Sequence, residues 1–483
     1  MVTAEADAPT IKSFRDPAGA VFRHQGRILR AVQPAFVPQL ESFLATPMAR
    51  EAMASGRMAG TVRLSGAESS GLGLEPEIVF EHERIPFASY PYEWPAEMLQ
   101  AAGVLTLDLA AAALEAGFGI KDATPYNVLF RGSGAVFVDV LSFERRNPSD
   151  ATWMAYAQFV RTFLVPLAAH KYLGMAPGDV LAAHRDGLEP ETVYRWTGWW
   201  RRLTPPLLGL VSLPVWLGRR ESEAVYRPKP AASSEQARFI LQGLLRSCRR
   251  QLNALAPLAG EQSVWTDYLG HKSLYGPQQL AQKEDFVREA LELGGSRRVL
   301  DVGANEGHFS FLAARAGASV VAIDSDPTVV GSIWRAARRE RGAEPLDVLP
   351  LVVDLARPTA ATGWRNQECE SFLERACGGS DGAGGQFDLV LMLAVLHHLL
   401  VSDRIPLEDV LALAADLTRG YAVIEFVAPE DPMFQRIVRG REQLHADLTV
   451  ERFEQAARTR FDVVRSRKID GLNRWLYLLR RRG

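Results

Sequence analysis

The sequence predicts an α/β protein whose back half folds as a Rossmann-like, seven-stranded, mostly parallel sheet, preceded by an α+β domain and a helical region. Three observations carry this. The apolar strand Arg298 to Val302 runs straight into a glycine-punctuated turn, Gly303-Ala304-Asn305-Glu306-Gly307, and then into a helix. The next strand, Ser319 to Asp324, ends in an acid about twenty residues further on, the separation at which a carboxylate meets ribose hydroxyls in doubly wound folds. Before residue 150 the pattern changes to alternating segments broken at Gln25-Gly26, as in an antiparallel hairpin.

The turn separates two cofactor classes. Gly303 permits the tight bend, and Gly307 lets the backbone approach a ligand with no Cβ in the way. Dinucleotide sites need G-x-G-x-x-G so that a pyrophosphate rests on a helix N-terminus, whereas Glu306 places a carboxylate there and would repel it. A cationic sulfonium tolerates nearby acids, so the turn resembles motif I of class I S-adenosylmethionine (SAM) methyltransferases. The resemblance continues in order. Leu349 to Leu355 reads as a strand ending at Asp354, from which that family holds the adenine amino group. Gln386 to Leu399 is similar to its fourth strand and following loop, which face the methyl group and the acceptor. The resemblance covers roughly Gln262 to Gly483. It implies SAM as cofactor, with contacts from Asp301, Gly303, Ala304, Asn305, Gly307, Asp324, Ser325, Asp354, Leu355 and Leu393. Singly, Asp324 and Asp354 also suit helix capping; at successive strand ends they mark the edge where ligands collect.

The lead-in to this domain carries Trp265, Thr266, Asp267, Tyr268, Tyr275 and Lys283. In methyltransferases such a segment folds over the cofactor, where aromatic faces attract a sulfonium by about 0.5 to 2 kcal/mol. Tyr268 and Tyr275 are therefore expected as lid residues and Lys283 as a cofactor contact; the alternative is a helix that packs on the sheet. Methyl transfer is an in-line displacement, accelerated by holding the nucleophile against the methyl carbon and excluding water. A base helps when the nucleophile carries a proton. His397 and His398, just beyond the fourth strand, are the candidates, and adjacent positions point different ways, so one of them is expected to face the site. Their other use is to cap strand carbonyls. Glu425, at the end of Tyr421 to Phe426, is expected to bind an amine or act as a second base.

Composition bounds the partners. At 483 residues the chain exceeds one core, and 47% hydrophobic with 23% charged residues is ordinary globular composition. A net charge of −2 argues against a polyanion, so a small molecule rather than nucleic acid is the expected partner, and the Arg335, Arg338, Arg339, Arg341 cluster reads as a solvated face. The three cysteines, Cys248, Cys369 and Cys377, show no metal-ligand spacing and fit a reducing cytoplasm; no metal is expected. The N-terminus lacks an export signal, and Leu203 to Leu217, interrupted by Pro205, Pro206 and Pro214, is too short to span a bilayer and reads as a buried helical hairpin, with contact at a membrane surface as its lesser reading. Oligomeric state is left open.

In the front half, Gly19 to Val32 is expected as a hairpin, Glu77 to Phe80 as a strand, and Met98 to Ala116 as a long helix. Then come Asp122, Asn127 five positions on, a turn at Gly132 and Gly134, and Asp139, a spacing that resembles the back lobe of kinases, with a catalytic-loop Asp, a metal-binding Asn and a second metal-binding Asp. There is no glycine-rich phosphate loop, Arg30 stands where a strand lysine is expected, and Val140-Leu141 follow Asp139 in place of Phe-Gly, so ATP turnover is not implied. Otherwise Asp122 and Asn127 simply organise a loop. Tyr194, Trp196, Trp199 and Trp200 recur at helical spacing and are expected in the core, or lining a pocket for a flat or greasy substrate.

The expected organisation is a kinase-like module without activity over 1–150, its helical extension over 151–232, a linker or helix over 233–260, and the methyltransferase domain over 261–483. The whole resembles bacterial two-part methyltransferases, including nodulation-protein-like members, with a kinase-like front module. It implies methyl transfer to oxygen or nitrogen of a small-molecule or glycan-like metabolite. Other readings of the same residues are a nucleotide-sensing regulatory protein with a vestigial SAM site, a SAM-dependent enzyme that transfers another group or cyclises, and a methyltransferase of RNA or protein. Ala394 to His398 lacks the Asn-Pro-Pro-aromatic loop of adenine-targeting enzymes.

Overall fold

A computed structural model describes residues 10–11, 15–72, 78–218, 230–257, 275–339, 346–378 and 385–482. Trp265 to Tyr268, Arg341, Glu77 and residues 219–229 lie outside them. The chain divides into two compact units, Met1–Ala259 with Gly363–Cys369, and Gly260–Thr362 with Glu370–Gly483.

The first unit opens on five antiparallel strands, β1 (Thr10–Ile11), β2 (Gly19–His24), β3 (Arg27–Val32), β4 (Thr61–Arg63) and β5 (Val79–His82), in the order β1-β2-β3-β5-β4. Gln25 and Gly26 both have positive φ, 48° and 75°, so β2 and β3 are joined by the two-residue turn whose twist matches the strands, as the sequence predicts. The helix Ala96–Glu115 follows. It is apolar and long enough to cross a membrane by length and composition alone, but 67% of its most apolar 18-residue window is buried in the protein. Short strands β6 (Phe118–Ile120) and β9 (Phe143–Arg145) pair with each other, and between them β7 (Val128–Arg131) and β8 (Gly134–Phe137) form a second hairpin. Glu368, from the short later segment, meets Arg15 at 2.8 Å and Arg185 at 2.9 Å within this unit.

Short helices fill the rest of the unit, and here one expectation is corrected. Trp196, Trp199 and Trp200 are not core: they are 47%, 59% and 70% exposed. The helix Pro190–Trp196 buries Val193 alone, and at so few residues it has one inward-facing position to offer. Leu203, Leu213 and Leu217 are exposed as well, while Leu207, Leu210, Val211 and Val215 take the inner face, so the expected buried hairpin is buried on one side only.

The second unit is the seven-stranded sheet. Its strands are β10 (Arg298–Val302), β11 (Ser319–Asp324), β12 (Val348–Val352), β13 (Phe387–Met392), β14 (Thr418–Val427), β15 (Phe461–Lys468) and β16 (Arg474–Arg481), in the order β12-β11-β10-β13-β14-β16-β15. The first five run parallel, and β16 enters antiparallel between β14 and β15, as expected for the final hairpin. Central strands are buried on both faces, which is why they read as continuous apolar runs. On one face Val320, Ala322, Leu389, Leu391, Leu476 and Leu478 alternate with period two and pack against Phe286, Val287 and Phe309. The register sets Val302 beside both Ile323 and Met392, and Asp324 beside Val352. The loops after β10, β11, β12 and β13 therefore leave the sheet at one edge. The chain steps outward from β10 through β12 and returns on the other side with β13, so the strand order reverses beside β10, where open sheets of this kind take ligands.

Candidate functional site

Backbone conformation shapes the turn after β10. Gly303, Asn305 and Gly307 have φ of 66°, 49° and 83°, values that favour glycine and tolerate asparagine. A Cβ on Gly303 would stand 2.4 Å from the Val395 side chain, and one on Gly307 3.1 Å from Ile333. Both glycines are thus required twice over, by φ and by close packing. The bend is tied to the next strand: Asn305 N–H donates to Asp324 Oδ2 at 2.9 Å, and Asp326 N–H to Asp324 Oδ1 at 3.0 Å.

A cavity of about 360 Å³ opens at this edge, in the range that small-molecule sites occupy. Of the residues anticipated from sequence, Gly303, Asn305, Asp324, Ser325, Asp354, Leu355, Leu393 and His398 line it. Asp301, Ala304, Gly307, Tyr275, Lys283, His397 and Glu425 do not. Asp301 is buried beneath the turn and accepts from Ser310 Oγ at 2.6 Å; burial pushes its carboxyl up to about 7 against the pull of that hydroxyl. Burial also raises Asp324, partly offset by its backbone donors. Ala394, on the cavity wall, holds a positive φ of 56°, a conformation disfavoured for a residue with a Cβ.

Two charged lining residues escaped the sequence reading. Arg357 meets Asp354 at 2.7 Å and Asp403 at 3.2 Å and so bridges two loops at the rim. The Asp354-to-Arg357 spacing was the available signal; Asp403, on another loop, offered none.

Away from the cavity lies a second, sealed constellation. Glu425 on β14 and Arg474 on β16 have no exposure, and Lys283 has 2%. Lys283 Nζ is 2.8 Å from Glu425 Oε2, Arg474 reaches Glu425 Oε1 at 3.3 Å, and Arg474 clasps Asp431 with two bonds at 2.8 and 3.0 Å. Tyr275 hydroxyl donates to Glu425 and accepts from Arg474. Two cations and two carboxylates balance. The neighbouring Lys283 and Arg474 hold Glu425 down to about 2 despite its burial, and Asp431 helps hold Arg474 above its usual value. Tyr275 and Lys283, expected over the cofactor, instead face each other: Lys283 Nζ lies 4.0 Å from the Tyr275 ring centre, with the Arg474 guanidinium 4.8 Å from it. The reason is the helix Pro277–Gly294, which packs on the sheet and turns Lys283 inward.

The two histidines diverge. His397 is 1% exposed, neither ring nitrogen has a hydrogen-bond partner among the described residues, and burial with the adjacent His398 and Arg474 drives it down to about 3. His398 is on the cavity wall, lowered by burial and partly restored by Asp403.

In the first unit, Asp122, Asn127 and Asp139 do come together. Asn127 Nδ2 donates to Asp122 C=O at 3.0 Å and to Ser142 Oγ at 3.1 Å, and Ser142 donates to Asp139 at 2.5 Å. Arg30, 6% exposed, meets Asp139 at 2.9 Å and donates to His82 Nε2 at 3.2 Å; burial lowers that imidazole to about 3, leaving it neutral and able to accept.

Comparison with known proteins adds family. A family model described as a methyltransferase domain matches residues 275–476. The nodulation protein NoeA of Rhizobium meliloti (strain 1021) is 30% identical over 478 residues, covering 97% of this chain and 95% of that protein. Among solved structures, the N-methyltransferase NodS from Bradyrhizobium japonicum WM9 is 14% identical, with a TM-score of 0.30 over 43% of this chain and 98% of that one. The bifunctional kinase-methyltransferase WbdD is 19% identical, with a TM-score of 0.28 over 46% of this chain and 42% of that one.

Two outcomes follow from the sealed cluster. Arg474→Met leaves Glu425 and Asp431 buried without their shared cation and is expected to cost ~3 to 5 kcal/mol, read as a lower urea midpoint. His397 is neutral when folded and charges readily when unfolded, so unfolding takes up a proton below the ordinary value of 6.5. Its contribution is present above that pH and is lost as pH falls toward about 3. Urea titrations of wild type and His397→Asn across this window should show the wild type losing ground as acidity rises; a constant difference contradicts the buried neutral imidazole.

Proposed function

The chain belongs to the family of the nodulation protein NoeA and is a SAM-dependent methyltransferase, and from that premise we infer that it methylates oxygen or nitrogen of a small-molecule or glycan-like metabolite, the first unit aiding recognition of that acceptor. The observation that carries the cofactor half is the glycine bend wrapped onto Asp324, with Asp354 across the same cavity. The residues suit SAM. A bend that no Cβ may enter lets a ligand lie against backbone, and in this reading Asp324 takes the ribose hydroxyls while Asp354 and Leu355 take an adenine edge and face. An acid-rich wall of Asp324, Asp354 and Asp403 favours a cation over a pyrophosphate. When bound, SAM supplies an electrophilic methyl group.

The chain's own part is to orient the acceptor, exclude water and receive a proton. His398 takes that last role in this reading, because it is on the cavity wall and burial keeps its ring neutral and ready to accept at neutral pH. His397, sealed from solvent, positions its neighbour through ring contact at 4.3 Å between centres. Glu425 is committed to Lys283, Arg474 and Tyr275, and we assign it the holding of that framework in place of base chemistry. For the first unit, support for a kinase-like scaffold comes from the order of elements: antiparallel five-stranded sheet, long helix, Asp122–Asn127 loop, hairpin, Asp139. Its metal-binding positions are satisfied internally by Arg30 and Ser142, which favours a recognition role over phosphoryl transfer.

Asp324→Asn is expected to weaken SAM binding at least about tenfold by titration calorimetry, since it removes a charge-assisted ribose contact; unchanged affinity would remove Asp324 from the site. With an acceptor identified by incubating labelled SAM with fractionated cell extract, His398→Ala is expected to lower kcat by ~10²-fold or more while sparing SAM affinity. Full turnover in that variant defeats the base assignment.

A further inference from the structure

The first unit carries a surface that methyl transfer leaves unused. From Thr192 to Gly218 the chain has three arginines, four tryptophans and no aspartate or glutamate, in a protein of net charge −2. Trp196, Trp199, Trp200, Leu203, Trp216 and Leu217 stand 47%, 59%, 70%, 51%, 42% and 64% exposed. They are fixed in place. Trp199 and Trp200 stack at 3.4 Å between ring centres, Trp216 Nε1 donates to Tyr194 hydroxyl at 3.1 Å, and the Arg202 guanidinium lies 3.8 Å from the Tyr194 ring centre. Arg195, Arg201 and Arg202 make no salt bridge among the described residues, whereas Arg161 close by is paired with Glu189 at 2.6 Å. Glu191 shares the short helix of Arg195, yet none of the three arginines forms an ion pair among the described residues, and they stand in a segment with large apolar side chains open to solvent.

We propose that this face docks on the surface of an anionic phospholipid bilayer. Indole rings, with an apolar body and one N–H, settle at the depth of lipid headgroups, and guanidinium groups reach the phosphates while their stems stay apolar. The apolar helical stretch Pro205–Gly218 rises about 21 Å, short of the ~30 Å hydrocarbon core, so it lies along the surface and does not cross it. A second copy of this chain is a poor occupant, because a two-fold contact would set three arginines against three with no carboxylate between them.

The test uses the full chain, pelleted with vesicles of phosphatidylglycerol in phosphatidylcholine and with vesicles of phosphatidylcholine alone. Binding is expected to the first far above the second, to weaken as salt is raised, and to shift tryptophan emission to the blue. The double substitution Trp199→Ser, Trp200→Ser should lower vesicle partitioning at least about tenfold, by the loss of two buried indoles. Arg195→Gln and Arg201→Gln should each lower it roughly fivefold, with SAM affinity unchanged in every variant. No pelleting with the acidic vesicles at low salt overturns the proposal, as does full binding by the tryptophan variant. A lipid-free dimer in sedimentation velocity that the tryptophan variant abolishes would instead make this face a contact between copies.

Discussion

Two cations and two carboxylates with almost no contact with water must neutralise one another at the end of β14, and the second unit is organised around that requirement. Any one of them alone would be strongly unfavourable; together, with the Tyr275 hydroxyl between them, each finds a partner of opposite charge. The cluster binds four parts of the chain: the segment at Tyr275, the helix Pro277–Gly294 through Lys283, β14 through Glu425, and β16 through Arg474. Asp431 adds the start of the helix Pro432–Val438, where it also accepts from Met433 N–H at 2.8 Å. Because these groups are saturated, they form the frame against which the ligand edge is built.

That edge depends on a different balance. Asp301 and Asp324 are both pushed upward by burial, and the charge of Asp324 adds to the rise at Asp301 as that of Asp326 does at Asp324. Backbone N–H groups and the Ser310 hydroxyl relieve this in part. What is left is a cavity lined by Asp324, Asp354 and Asp403 and countered by Arg357, whose side chain is 73% exposed and thus weakly held. Such a wall discriminates by charge before any shape is considered, and it does so in the direction a sulfonium requires.

The first unit shows the same economy of charge used differently. Arg30 sits between Asp139 and a neutral His82, so that carboxylate is neutralised by a guanidinium of the same unit. The helices after it turn a band of indoles to solvent, beside guanidiniums that form no ion pair among the described residues, since short helices have one inward face and that face is already taken by aliphatic side chains.

Local spacing was enough to reveal the α/β sheet, the glycine bend, the strand-end acids and the hairpin at Gln25-Gly26, because backbone sterics and the two- and 3.6-residue periods act within a few residues. Which histidine lines the cavity was not readable, as both neighbours have identical local context and helix rotation decides between them. Nor was the capture of Lys283 and Tyr275 by Glu425 and Arg474, partners 49 and 199 positions apart for Arg474, since charge pairing across such separations exists only once the sheet has aligned β14 with β16. The sequence by itself determined the edge and its chemistry. Only tertiary packing decided which ionisable groups face that edge and which are spent on one another, because desolvation and Coulomb attraction are set by distance in space and not along the chain.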